Sequence, residues 1–197
     1  MEAGRSREWG MLSHDDVDDI TTRAARDGRH GAAAARFEEL AAQPERHGGE
    51  VNRAALLVEA GSQHGLAEDW DAAIRCYQEA IADGGCEGID PRVWLHDAYL
   101  RAGRQDDAAG LLRELKASRS KDPDLYAAVA ESLEVSGQLS DAHTWFTMGY
   151  HRCENADVPE FMIDLLLVGR RRIRAELGYP LDDLDELADD YLAAVGD

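Results

Sequence analysis

Apolar and small residues recur along the chain at helical spacing, and one short pattern of them returns four times. Each copy has an alanine, an aromatic residue or leucine four positions later, and a small or apolar residue three positions after that. The three columns are Ala33, Ala73, Ala108 and Ala142; Phe37, Tyr77, Leu112 and Phe146; and Leu40, Ala80, Leu115 and Gly149. No stretch alternates apolar and polar residues as a strand does, so the pattern predicts an all-α fold.

The turns that precede the four copies fall at Gly28, Glu68, Gly103 and Gly137, which are 40, 35 and 34 residues apart. Two antiparallel helices joined by a short turn can approach closely only where one of them presents a small side chain. The alanine column supplies that contact, and the aromatic or leucine column fills the space between neighbouring hairpins. Because a single hairpin would be marginally stable, the repetition predicts an array.

The spacing and the columns resemble the tetratricopeptide repeat family, whose unit is a helical hairpin of about 34 residues. The second copy, DWDAAIRCYQEAI, follows the family pattern most closely, and Gly61 stands at the small position of its first helix. The resemblance implies a right-handed α-solenoid of antiparallel hairpins with about ten helices. The predicted hairpins are 14–47, 54–87, 89–122 and 123–156, after a flexible N-terminal segment 1–13.

Residues 157–197 lack the repeat signature but keep helical spacing, and we predict a degenerate fifth hairpin that caps the array. Two apolar faces are expected to pack against the rest. They are Phe161, Leu165, Val168 and Ile173 in the first helix, and Leu181, Leu184, Leu187, Tyr191 and Val195 in the second.

The formal net charge of −19 argues against broad binding to nucleic acid or to an anionic membrane, because both would repel the chain. Three cysteines without CxxC spacing favour a reducing compartment, and no apolar segment has the length of a signal peptide core or a membrane span. We therefore expect a cytoplasmic protein. The 19 arginines against two lysines are typical of a GC-rich bacterial genome.

Motifs for catalysis, phosphate binding and metal binding are absent from the sequence, so we expect no enzyme activity, cofactor or metal. His143, His151 and Cys153 are close in sequence, but their spacing on one helix does not converge on a small ion. A cluster of arginines (Arg170, Arg171, Arg172 and Arg174) has two interpretations. It is either a phosphate or nucleic-acid patch, or, as we favour, a set of partners for the acidic final helix.

In the tetratricopeptide repeat family, ligands usually lie in a concave groove lined by the first helix of each hairpin. The resemblance implies a candidate groove lined by Thr22, Arg26, Ser62, Asp97, Arg101, Glu131 and Glu134. These positions are acidic or neutral apart from two arginines, so a clamp for a peptide carboxylate is disfavoured. The groove predicts a basic or mixed peptide as its ligand, unless these acids only solvate an exposed face.

The sequence therefore predicts a non-catalytic protein-interaction scaffold whose rigid hairpins present a preformed groove to a protein partner. The alternative is a regulatory sensor that binds a small ligand or signalling peptide and controls a transcription factor or a secretion partner. A pocket closed by His96 and Trp94, in the atypical third hairpin, would favour the sensor. An enzyme would require a deep polar pocket that gathers histidines and carboxylates from several hairpins.

Overall fold

A computed structural model describes residues 10–48, 51–85, 88 and 90–196. Residues 1–9 of the predicted flexible segment 1–13 lie outside the described residues. Within these ranges the chain forms ten α-helices, one short 3-10 helix at Pro44–Arg46, and no strand. The helices are α1 (His14–Asp27), α2 (His30–Ala41), α3 (Arg53–Leu66), α4 (Trp70–Ala82), α5 (Pro91–Arg101), α6 (Gln105–Ser118), α7 (Pro123–Val135), α8 (Leu139–Cys153), α9 (Glu160–Glu176) and α10 (Asp183–Val195).

The fold class is the predicted one, an all-α fold of helical hairpins. The chain divides into two compact units, which end and begin at Gly103 and Arg104. Unit 1 contains α1–α5, and unit 2 contains α6–α10.

The four predicted turns share a left-handed backbone. Gly28, Gly103 and Gly137 have φ values of 65°, 74° and 75°, and Glu68 adopts a φ of 61° at the corresponding position. Glycine adopts this conformation without the steric cost of a Cβ atom. The repeat therefore imposes its turn geometry even where the sequence supplies a glutamate.

Small residues allow close helix packing in unit 1. Ala33 and Ala73 are buried, together with Phe37 and Tyr77 from the next column. A Cβ atom added at Gly61 on α3 would lie 2.5 Å from the Tyr77 ring on α4. Gly61 is therefore the close-approach position that the resemblance implied.

Unit 2 uses the same device twice. A Cβ atom at Gly149 on α8 would lie 2.5 Å from Tyr126 on α7, and one at Gly169 on α9 would lie 2.4 Å from the Phe146 ring on α8. Ala108 and Ala142 are buried, whereas Leu112 is only half-buried. The small-against-aromatic contact thus extends into the C-terminal hairpin, where the sequence showed no repeat.

The predicted apolar faces of α9 and α10 are largely wrong. Ile173 is buried, but Phe161 and Leu165 are 53% and 50% exposed. All five residues assigned to the second face are exposed or partly so, with Leu181 and Val195 above 60%. In α9, the buried side is the one on which Gly169 packs against the Phe146 ring. Leu166, Leu167 and Arg170 are buried with it, and Phe161 and Leu165 are left exposed.

Candidate functional site

The seven predicted groove residues are divided between the units. Thr22 and Arg26 lie on α1, Ser62 on α3, and Asp97 and Arg101 on α5, all in unit 1. The other two, Glu131 and Glu134, lie on α7 in unit 2. Whether all seven line one continuous groove stays a prediction.

Both arginines among the unit 1 candidates have acidic neighbours on their own helix. Arg26 pairs with Asp27 at 2.8 Å, and Arg101 lies 3.6 Å from Asp97. Such exposed pairs within one helix leave the donors partly available to solvent and contribute little to stability. They reduce the positive charge that this face would offer to an acidic ligand.

Ser62 lies beside a buried tyrosine. Its Oγ atom is 3.4 Å from the Tyr77 hydroxyl, and the Tyr77 ring stacks on Trp94 with 6.3 Å between ring centroids. Burial, together with the nearby charges of Asp97 and Glu59, raises the pKa of Tyr77 to about 12. The tyrosine is therefore a neutral hydroxyl beneath an acidic surface.

Glu59 on α3 is a site residue that sequence reasoning missed. Burial raises the pKa of its carboxyl group, and the charge of Asp18 on α1 raises it as well. It makes no hydrogen bond or ion pair with any described residue. The charge of Asp18 acts on Glu59, the charges of Glu59 and Asp97 act on Tyr77, and Ser62 contacts Tyr77. We refer to Asp18, Glu59, Ser62 and Asp97, which lie on α1, α3 and α5, as the unit 1 acidic face. Helical spacing could have identified both acids, because Glu59 is three residues before Ser62 and Asp18 is four before Thr22. Residues at these spacings share one face of a helix.

In unit 2, the predicted groove acids have a basic partner. Arg172 on α9 donates two hydrogen bonds to Glu134, at 3.0 and 2.6 Å. That contact raises the pKa of Arg172, and the nearby charge of Glu131 contributes in the same direction. The negative potential expected on α7 is therefore partly neutralised within unit 2 itself.

The favoured interpretation of the arginine cluster holds for three of its four members, whereas Arg172 pairs with Glu134 on α7. Arg170, only 4% exposed, donates to Asp182 at 2.5 Å and to Asp185 at 2.9 Å, and Asp185 is 1% exposed. Arg174 donates to Asp185 at 2.9 Å, and Arg171 lies 3.4 Å from Asp189. The hydrogen bond from Arg170 lowers the pKa of Asp182 to about 2. These guanidinium groups fasten α9 to α10.

The residues of the proposed sensor pocket belong to packed structure. His96 is buried, and this burial lowers its pKa, so the imidazole is neutral at physiological pH. Trp94 is half-buried against Tyr77. A different cavity, of about 640 Å³, lies among α8, α9 and α10. Its lining combines Tyr150, Leu167 and Tyr191 with the carboxylates of Asp164 and Asp190.

The structure does not bring His143, His151 and Cys153 together as a metal site; a different group of three potential ligands converges instead. In the described ranges, ligand atoms of Glu38, His64 and Cys76 lie within 4.8 Å of one another. His143 instead contacts the edge of Tyr179, and His151 lies 3.9 Å from Glu154.

None of the helices in the described part of the chain combines the length and apolarity needed to cross a membrane.

No family model and no curated protein matches the chain. A solved structure named "MamA AMB-1 P212121" aligns with 89% of this chain and 87% of its own, at 13% identity and a TM-score of 0.40. A likeness at this level establishes neither family nor function, so the function rests on the contacts described above.

Proposed function

We propose that the protein is a non-catalytic, tetratricopeptide-like scaffold of the cytoplasm that binds a basic or mixed peptide segment of a protein partner. The unit 1 acidic face is the principal contact. One observation carries this proposal: Glu59 is a half-buried carboxylate that lies beside Asp18 and has no basic partner among the described residues.

The energetics favour a cationic ligand there. A carboxylate that is desolvated without a partner destabilises the free protein, and a guanidinium or ammonium group would relieve that cost. Ser62 adds a hydroxyl that donates or accepts, and Asp97 adds a third carboxylate on α5. The face therefore suits a peptide with alternating basic and polar side chains, and such a peptide would be steered to it in a salt-dependent way.

The predicted contribution of Glu131 and Glu134 is secondary in this proposal. Arg172 already occupies Glu134, so a ligand would have to compete with that ion pair. Glu131 is exposed and is the better placed of the two to meet a basic residue.

The test is an unbiased selection from a displayed random-peptide library with the full chain as bait, followed by affinity measurements at low and moderate salt. We expect the selected peptides to be enriched in arginine and lysine. The double variant Asp18→Asn/Glu59→Gln should bind them about tenfold more weakly, since each contact is worth up to about 1 kcal/mol.

The matched control is Asp71→Asn/Glu114→Gln, which changes the net charge equally at exposed positions on α4 and α6. Neutral or acidic selected peptides, or equal losses in the two double variants, would contradict the proposal.

A regulatory sensor is the second candidate, and the cavity among α8, α9 and α10 supports it. Burial raises the pKa of Asp164 in its wall, and the charge of Glu160 adds to this effect. The cavity thus suits a small organic cation with an apolar part. A thermal-shift screen of such cations should find a ligand whose effect is lost in Asp164→Asn. A screen without one would remove this candidate.

A further inference from the structure

Three side chains that are far apart in sequence converge between α2, α3 and α4 of unit 1. Glu38, His64 and Cys76 each offer one ligand atom, and these atoms all lie within 4.8 Å of one another. The Cys76 Sγ atom is 3.4 Å from Glu38 Oε1, and the His64 Nε2 atom is 3.5 Å from the same oxygen. No short motif in the sequence joins them, because each comes from a different helix.

The distances fit a tetrahedral cation. Zinc binds nitrogen, oxygen and sulfur at about 2.0–2.3 Å, which places its ligand atoms about 3.3–3.8 Å apart at the corners of a tetrahedron. Both measured separations from Glu38 Oε1 fall in that range. The donor set of one thiolate, one imidazole and one carboxylate suits Zn²⁺ better than Mg²⁺ or Ca²⁺, which prefer oxygen alone.

The orientation of His64 is a second and independent observation. Its Nε2 atom is fully buried and has no hydrogen-bond partner among the described residues, although buried polar atoms are nearly always satisfied. On the other side of the ring, Nδ1 lies 3.8 Å from the Asp69 carboxylate. A carboxylate behind a histidine is the arrangement that aims the far nitrogen at a metal ion.

Two groups oppose the ion and must rearrange when it binds. Arg75 Nη2 donates to Glu38 Oε1 at 2.9 Å. Burial, together with the hydrogen bond to Glu38, raises the pKa of the Cys76 thiol to about 12, so the metal-free thiol keeps its proton. Binding therefore releases the Cys76 proton to solvent and turns the exposed Arg75 side chain away from Glu38.

We propose that Glu38, His64 and Cys76 bind one zinc-type divalent cation, with water as the fourth ligand. The site would join the second helix of one hairpin to both helices of the next.

The experiment uses the full chain, reduced and freed of metal by a chelator, and titrates it with Co²⁺ and then Zn²⁺. We expect one Co²⁺ per chain, a near-ultraviolet thiolate-to-cobalt band, and visible bands of tetrahedral intensity. Zinc should displace the cobalt and raise Tm. The variant Cys76→Ser should lose the thiolate band, and the less disruptive Glu38→Gln should keep the fold while binding at least about tenfold more weakly.

Cys153→Ser and Cys86→Ser are the matched controls. Cys153 is a second buried thiol, in unit 2, and Cys86 lies outside the described residues. Both variants should retain the full thiolate band. If the band disappears in either control, or persists in Cys76→Ser, the assignment is overturned.

Two further variants separate a metal site from an ordinary hydrogen-bonded cluster. Arg75→Gln should tighten cobalt binding because it removes the cation that competes for Glu38. Asp69→Asn should weaken binding about tenfold because it loosens the histidine. If the wild-type chain shows no thiolate band at any cobalt concentration, or if Arg75→Gln weakens binding, the proposal is wrong.

Discussion

The two units hold their acidic side chains in opposite electrostatic surroundings. In unit 1, Glu59 is half-buried beside Asp18 without a basic partner, and its pKa is raised. In unit 2, Asp182 and Asp185 receive hydrogen bonds from Arg170 and Arg174, and the pKa of Asp182 is lowered to about 2. A carboxylate side chain therefore lowers stability in one unit and supports the fold in the other.

The source of the difference is the position of the arginines. Four of them occur within five positions of α9, where they reach α10 and α7. In unit 1, Arg53 pairs with Glu79 on α4 and with Asp83 directly after this helix, and it has no ion pair with Glu59. The number of acids in a region thus does not identify a binding face; an acid matters for binding where no arginine is in reach.

The largest expected effect comes from breaking the buried pair of unit 2. Replacing Asp185 with alanine leaves Arg170 buried with only part of its partners, and we expect a loss of about 3 kcal/mol in the free energy of unfolding. Urea unfolding measured by circular dichroism provides the value. The control is Asp189→Ala, which removes the partner of Arg171. Because Asp189 is far more exposed than Asp185, this variant should lose less than about 1 kcal/mol in the free energy of unfolding. Equal costs would show that burial of the pair is unimportant.

Overpacking the alanine column should destabilise both units to a similar extent, because the two units differ in their charges and not in this packing. Ala73 on α4 and Ala142 on α8 are both fully buried in the alanine column. Replacing either with leucine should overpack its hairpin and cost about 1–3 kcal/mol in unfolding free energy. Ala82→Leu, at an exposed position at the end of α4, is the control. An unchanged Tm in Ala73→Leu would contradict the repeat register.

Neutralising the unpartnered acid of unit 1 should stabilise the protein. Burial holds the folded-state pKa of Glu59 above its ordinary value of 4.5, so stability falls as the pH rises through that folded pKa. Glu59→Gln should therefore raise the free energy of unfolding at pH 7 by up to about 1 kcal/mol and change little at pH 4. Denaturant curves at the two pH values would show this. A destabilised variant at pH 7 would mean that Glu59 has a partner in the fold.

The smallest expected effect is a loss of stability at acid pH in unit 2, where the pKa of Asp182 is lowered rather than raised. The folded-state pKa of Asp182, about 2, is below its ordinary value of 3.8, so its contribution is complete above that value and is lost as the pH falls towards 2. Because the side chain is 38% exposed, screening limits this contribution to about 1 kcal/mol or less. Asp182→Asn keeps a side chain that caps α10 and should flatten the acid limb of the stability curve. An identical acid limb in the variant would exclude Asp182 as its source.

Local rules predicted the fold well. The alanine column, the four turns and Gly61 were readable because each depends on residues within one hairpin. The pairing of the arginines with α10 was also predictable, since a short turn joins the two helices and only acids were in reach.

The failures came from choices that short-range patterns leave open. The sequence of α9 places four apolar residues in succession, Leu165 to Val168, so periodicity alone could not decide which side is buried. Contact between Gly169 and Phe146 decides it. Glu59 was passed over because the family's groove positions omit it, and the group of Glu38, His64 and Cys76 was missed because it depends on three helices.

The ion pairs of α10 also govern how this helix moves. Its first half contains Asp185 and Ala188, both buried, whereas Leu192 and Val195 in its second half are exposed. Helical turns that bury few side chains open more readily than turns that hold buried ion pairs. Here the loss of each turn from the second half exposes few buried contacts, but opening the first turn strips partners from two guanidinium groups. Amide hydrogen exchange along α10 should therefore slow abruptly between Val195 and Asp185. The second half of the helix would open often and exchange fast, while the first half stays closed and exchanges slowly.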